Sequence, residues 1–173
     1  MDKFIYILIF LVFSCSVYAQ KTNIEKSGDI IQIALPSIAF TSCFFKKQAK
    51  AKEFIVSMGT SFILTHSLKR TINKVRPNGS DYSFPSGHTS AAFTGAAFID
   101  KNYGLKYGIP AYLLASYVGW SRVYANKHDY ADVIGGAVIG IGSNYLLINL
   151  LNEKININTS YYKDARVIIT LNI

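Results

Sequence analysis

The residues best suited to chemistry are two histidines, His88 and His128, three cations, Lys69, Arg76 and Arg122, and Asp132, set in three short polar blocks. The first block runs Lys69-Arg70-Thr71-Ile72-Asn73-Lys74-Val75-Arg76-Pro77. Lys69 and Arg76 are seven positions apart, close to two helical turns, so a helix would point both the same way. Pro77 is expected to stop that helix and push Arg76 toward an extended conformation. Two converging cations suit a dianionic group, and arginine can grip a phosphate through two donors. Taken alone, the block reads more simply as the positively charged flank of a membrane segment.

The second block is Ser83-Phe84-Pro85-Ser86-Gly87-His88-Thr89-Ser90, followed by Ala91-Ala92. Proline at a first helical position, with Ser86 and Gly87 beside it, predicts a helix start with free amides. Such a terminus attracts anions through its N–H groups and dipole, and His88 there can give or take a proton. The plainer alternative is a capping turn with a solvent-facing histidine. The third block runs from Ser121 to Asp132, with Arg122 as a further phosphate-type donor. His128 and Asp132 stand at i and i+4, which would place them on one helical face. A carboxylate beside an imidazole fixes its tautomer and stabilises its cation, the logic of an oriented nucleophile or base. As an isolated pair they read equally as a surface ion pair.

The elements that position these blocks are apolar. The 173-residue, 19.2 kDa chain has room for one domain. Half of its residues are hydrophobic and only 16% are charged, which excludes a disordered chain, a coiled coil and a disulfide scaffold. Mean hydropathy, at +0.23, decides nothing by itself. Five uncharged stretches recur, Ile30–Phe45, Phe54–Leu68, Tyr82–Ile99, Tyr107–Ser121 and Val133–Asn152. Their length and scattered Gly and Ala favour helices over strands. Only Val133–Asn152 reaches the roughly 20 residues of a membrane span unaided. A soluble bundle apolar nearly all round could hardly be buried by so small a chain, so membrane embedding is the expectation.

The expected fold is therefore all-α, an integral-membrane bundle of five core helices at 28–152, preceded by an N-terminal segment and followed by a short tail at 153–173. Residues 1–19 read as a signal peptide, with Val17-Tyr18-Ala19 as the cleavage site, or else as an uncleaved anchor helix. The tail shows β-like alternation in Ile155-Asn156-Ile157-Asn158 and carries no expected function. The net charge of +8 is spread between apolar segments and not along one face, which counts against nucleic acid as a partner. Cys15 and Cys43 lie in apolar runs with no metal-ligand spacing, so neither a disulfide nor a metal site is expected. His66 matches no pattern and is expected to pack or sit at an interface, while Trp120 reads as an interfacial belt residue.

Together the blocks read K-x6-R-P, P-S-G-H and S-R-x5-H-x3-D, a pattern that resembles the type 2 phosphatidic acid phosphatase superfamily in order and internal spacing. The resemblance implies that His128 takes the phosphoryl group as a phosphohistidine, oriented by Asp132. It implies that His88 protonates the leaving oxygen. Lys69, Arg76, Ser86, the Gly87 amide and Arg122 would form the phosphate cradle, with no cofactor or metal. The implied substrate is a lipid phosphomonoester or diphosphate: phosphatidate, phosphatidylglycerophosphate, a polyprenyl diphosphate or a lipid A phosphate. The same resemblance covers soluble acid phosphatases and vanadate-dependent haloperoxidases. A non-enzymatic lipid-binding protein would be favoured only if a catalytic position were substituted. The basic runs Lys46–Lys52 and Lys101–Lys106 belong inside by charge, which sends all three blocks to the outer face of what reads as a bacterial inner membrane.

Overall fold

A computed structural model describes residues 23–44 and 48–146. These residues form five helices and no strand: α1 (residues 23–44), α2 (Gln48–Ile72), α3 (Gly87–Tyr103), α4 (Leu105–Tyr124) and α5 (residues 130–146). The all-α expectation holds for them. The segments expected at 1–19 and 153–173 lie outside the described residues.

Three helix boundaries differ from expectation, each for a local reason. α2 ends at Ile72, before Pro77, because Asn73 adopts a left-handed φ of 42° and returns its N–H to Lys69 C=O at 3.1 Å. Arg76 therefore leaves the helix, and its relation to Lys69 is made by a turn and not by two helical turns. Pro85 is not the first residue of α3: Ser86 is the N-cap, in extended conformation, and Gly87 opens the helix. His128 precedes α5, so it does not share a helical face with Asp132.

α3 is the central element. Its residues Thr89, Ser90, Ala92 and Thr94 through Ile99 are buried between α2 and α4. The interior around it is small and polar. Ala39, Ala92, Ala96, Ala111 and Ala115 let the helices approach closely, and hydroxyls bond across them: Thr94 Oγ1 donates to Ser61 Oγ at 2.9 Å and Thr65 Oγ1 to Ser90 Oγ at 3.0 Å. Asn144 Nδ2 of α5 donates to Thr94 C=O at 3.0 Å. The large aliphatic residues face outward instead; Ile30, Ile63, Leu113, Ile134 and Val138 are each more than 60% exposed. Among the described residues no helix is long and apolar enough by hydropathy to cross a membrane. The interior hydroxyls, and the charged groups at the helix ends, dilute the average that the outward faces alone would give.

The bundle has two unlike ends. At one, Tyr103 Oη donates to Ser42 C=O at 2.7 Å and Lys101 Nζ to Asn144 C=O at 3.0 Å, bringing the ends of α1, α3 and α5 together. The end of α2, the start of α3, the end of α4 and the start of α5 meet at the other, and there the three polar blocks converge.

Close helix contact makes specific glycines obligatory. A Cβ on Gly95 would lie 2.8 Å from Pro36 N and 2.9 Å from Leu35 C, both backbone atoms of α1, whereas one on Gly59 would meet nothing within 4 Å. Gly95→Val should therefore destabilise the bundle by about 1–3 kcal/mol as overpacking does. Gly59→Ala should leave thermal unfolding in detergent close to that of the unaltered chain. Equal unfolding temperatures for the two variants would show that α1 does not pack against α3 in this way.

Candidate active site

The centre of the site is the Asp132 carboxylate, fully buried at the start of α5. A buried carboxylate must be paired or hydrogen-bonded to stay charged. Here Oδ1 accepts from Lys74 Nζ at 2.9 Å, while Oδ2 accepts a short hydrogen bond from Ser83 Oγ and another from the Asp129 N–H at 3.1 Å. Asp129 returns the favour by capping α5, its Oδ1 accepting from Asp132 N–H at 3.0 Å. This reciprocal pair is a capping box built from two aspartates. Lys74 also binds Asp129 directly.

His128 is 3% exposed and lies with Nδ1 3.3 Å from Asp132 Oδ2 and 3.4 Å from Ser83 Oγ. With Nδ1 held toward the carboxylate, Nε2 is the ring atom left for an incoming electrophile. The loop carrying His128 is fixed from behind: the Arg122 C=O accepts from the N–H groups of Lys127 at 3.0 Å and His128 at 3.3 Å. Asn126 supplies the required left-handed turn, at φ 56°. Burial, then the cations Lys69 and Arg76, hold the imidazole down to about 4 against the opposing pull of Asp132. The ring is therefore neutral, with a free lone pair, through the physiological range.

The cavity that His128 lines, about 550 Å³, is also walled by Lys69, Arg76, Gly87, His88 and Arg122. Six of the eight residues expected from sequence thus face one space. Lys69 Nζ donates to the carbonyls of Tyr82 at 2.8 Å and Ser83 at 3.3 Å, which aims its ammonium at the block that follows. Arg76 Nε is buried with no hydrogen-bond partner, a donor waiting for an acceptor. Arg122 is buried, and its Nε, NH1 and NH2 donate to Ser121 Oγ, Asp29 Oδ1 and Glu25 C=O. A guanidinium has five donors, so one hydrogen on each terminal nitrogen remains for an anion. The amides of Gly87 and His88 belong to the first turn of α3, where a helix has no carbonyl to offer them. Asp132 and Ser86 stand behind this wall. Ser86 is fully buried, its Oγ accepting from Thr89 N–H at 3.4 Å and Thr89 Oγ1 at 3.0 Å, and its own N–H binds Asp132 C=O at 2.9 Å.

Sequence reasoning missed Lys74, Ser83, Asp129 and Asp29. The first three lie inside the polar blocks, but no spacing pairs them with Asp132 across the folds of two loops. Asp29 lies in α1, 59 positions before His88. His66, outside the pattern, sits at the cavity rim with its ring 4.1 Å from that of Phe62, and Trp120 stacks on the exposed side of α4 between Tyr117 and Tyr124.

The profile of the PAP2 superfamily matches residues 50–156, more than half of the chain, and the protein belongs to that superfamily. Among curated relatives it is 29% identical to lipid A 1-phosphatase of Helicobacter pylori over 75% of this chain and 67% of that one. It is 32% identical to phosphatidylglycerophosphatase B of Bacillus subtilis over 65% and 63%. A lipid A 1-phosphatase of Porphyromonas gingivalis is 39% identical over 42% of this chain, which spans 17% of that longer protein. The fold matches the crystal structure of Aquifex aeolicus LpxE with a TM-score of 0.67 and 25% identity, covering 76% of this chain and 86% of that one. A transmembrane PAP2-type phosphatidylglycerolphosphate phosphatase from Bacillus subtilis matches with a TM-score of 0.56 and 25% identity, over 86% and 94%.

The buried neutral imidazole has a stability consequence of definite sign. The unfolded chain takes up a proton at His128 near pH 6.5, the folded chain only near 4, so between these values the unfolded state binds more protons. Stability contributed by keeping this ring neutral is thus complete above 6.5 and is lost as pH falls toward 4. His128→Gln should flatten the fall in unfolding midpoint between pH 6.5 and 4 relative to the unaltered protein; parallel curves would refute the low proton affinity.

Proposed function

We propose that the chain is an integral-membrane phosphatase that removes phosphate from a lipid phosphomonoester or diphosphate. The observation that carries this reading is the junction of two unlike cavities. Beside the polar site lies an apolar one of about 610 Å³, lined by Phe40, Phe54, Ile55, Met58 and Phe62. The two share Met58, Phe62, His66, Gly87 and Ala91, so a single molecule can place a charged end in one and a hydrocarbon in the other. The membrane setting is supported by the inverted distribution of side chains, small and polar within, large and aliphatic without, as in bundles that pack in lipid. Relatives named as lipid A phosphatases and phosphatidylglycerophosphatase are consistent with it.

In this reading His128 Nε2 attacks phosphorus, the bond to the leaving oxygen breaks, and His88 delivers a proton to that oxygen. Water then hydrolyses the phosphohistidine. Asp132 holds the His128 tautomer and stabilises the charge it acquires. Phosphoryl transfer asks the protein mainly for positioning and for charge at the equatorial oxygens. Lys69, Arg76, Arg122 and the Gly87 amide supply that charge, with Ser86 as the cap that fixes the Gly87 turn. The cations answer the phosphate charge directly, which is the basis for reading the chemistry as metal-independent.

His128→Ala should abolish phosphate release, with a loss on the order of 10⁶-fold as when a nucleophile is removed, while the purified variant still folds and unfolds cooperatively, at a temperature lowered by the cavity that the buried ring leaves. Assay against phosphatidate, phosphatidylglycerophosphate, undecaprenyl diphosphate and lipid A identifies the substrate. Release that survives the substitution in a folded variant refutes the assignment.

The active-site end is read as facing the periplasm, since the basic run at Lys46–Lys52 resists translocation. In a background lacking Cys15 and Cys43, a cysteine placed at the exposed Asn78 should react with an impermeant thiol reagent in intact cells, and one at Lys52 only after the membrane is opened. The reverse labelling would put the site in the cytoplasm.

A further inference from the structure

His88 is surrounded mainly by positive charge. Lys69 of α2, Arg76 of the following turn, Arg122 of α4 and Lys127 of the next loop all face the same cavity, together with the rings of His66 and His128. Cations at this range oppose a proton on an imidazole. Two carboxylates enter from α1. Glu25 is drawn away to Lys127, at 3.4 Å, while Asp29 Oδ1 lies 3.0 Å from His88 Nε2 and also accepts from Arg122 NH1 at 2.8 Å. The approach of α1 is built in: Gly28 leaves no room for a Cβ, which would collide with Ser121 Oγ and crowd Arg122 NH2.

The geometry points to Asp29 as a positioning residue that aims His88 and favours its protonated form against burial and the surrounding cations, making an Asp29–His88 pair the counterpart of Asp132–His128 across the phosphate. This rests on the phosphatase reading above and adds a residue outside the span matched by the superfamily, which begins at residue 50. In the imidazolium both ring nitrogens donate. Nε2–H holds Asp29, and Nδ1–H is left for the leaving oxygen. As the P–O bond breaks, that proton passes to the alkoxide and the ring becomes neutral. The first half of the reaction thus ends with an alcohol, a phosphohistidine at His128 and a neutral His88, which can then take a proton from the attacking water.

The role is separable from a merely structural one by the leaving group. An alkyl phosphate must be given a proton as it departs, whereas a nitrophenolate leaves readily without one. The test compares kcat/KM for a long-chain alkyl phosphate and for a nitrophenyl phosphate bearing the same chain, across pH, in the full-length protein and its Asp29→Asn and Asp29→Glu variants. For Asp29→Asn the alkyl substrate should lose on the order of 10²-fold and the aryl substrate no more than about threefold, the range expected of lost general acid catalysis. The alkaline limb for the alkyl substrate should move to lower pH, because the donor without its anion gives up its proton sooner. Asp29→Glu, which keeps the charge, should restore the unaltered ratio between substrates. Equal losses on both substrates, or an unmoved alkaline limb, would make Asp29 a packing residue and overturn the proposal. If the unaltered protein cleaves neither substrate, the phosphatase reading falls first and takes this one with it; if it cleaves both, only the role of Asp29 is at stake.

Discussion

One buried charge organises this protein. Asp132 is removed from solvent, and removal of a carboxylate from water is tolerated only where hydrogen bonds replace hydration. Four groups do so: Lys74 from the turn after α2, Ser83 from the segment before α3, the Asp129 amide at the start of α5 and, more loosely, His128. The backbone carbonyl of the same residue takes the Ser86 N–H. A single residue therefore ties together the three segments that carry the polar blocks. Loss of any partner would leave a charge or a hydroxyl stranded, so the loops hold one arrangement and the imidazole beside them has one orientation.

The need to satisfy that carboxylate explains why the site lies at the end of the bundle. Inside the bundle the helices approach over alanines and glycines, leaving room for hydroxyl pairs such as Thr94–Ser61 but none for a solvated anion. At the end, the first turn of α3 exposes amides, and the loops supply Lys74, Arg76 and His128 without breaking a helix. The outer faces carry large aliphatic groups, and an apolar cavity runs from the side of the bundle to the polar one. Charge at one end and hydrocarbon along the flank match the two halves of a lipid phosphate.

Helix ends are also where local rules and tertiary demands compete. The left-handed Asn73 ends α2 early, and this lets Arg76 swing from a helical position into a turn closed by Gly79 N–H to Arg76 C=O at 2.9 Å. Proline at position 77 was the obvious stop, yet an asparagine tolerant of positive φ acts first. Likewise Ser86 caps α3 where Pro85 had been expected to begin it, and the Asp129–Asp132 box places His128 outside the helix it was expected to share.

The sequence by itself determined the all-α class, through five uncharged stretches of helical length, and its resemblance to the superfamily's motifs named eight site residues, of which six line one cavity. It did not determine how those side chains are held. Lys74, Ser83 and Asp129 were all in view within the polar blocks, but their partner is chosen by loops folding over one another, which no periodicity records. Asp29 is further out of reach: its contacts with His88 and Arg122 span 59 and 93 positions, and they exist because α1 happens to cross α4 where Gly28 permits it. Mean hydropathy decides nothing for a related reason. An average along a helix sums its inward and outward faces, and only the packing of α3 at the centre decided which residues faced their neighbours and which faced out.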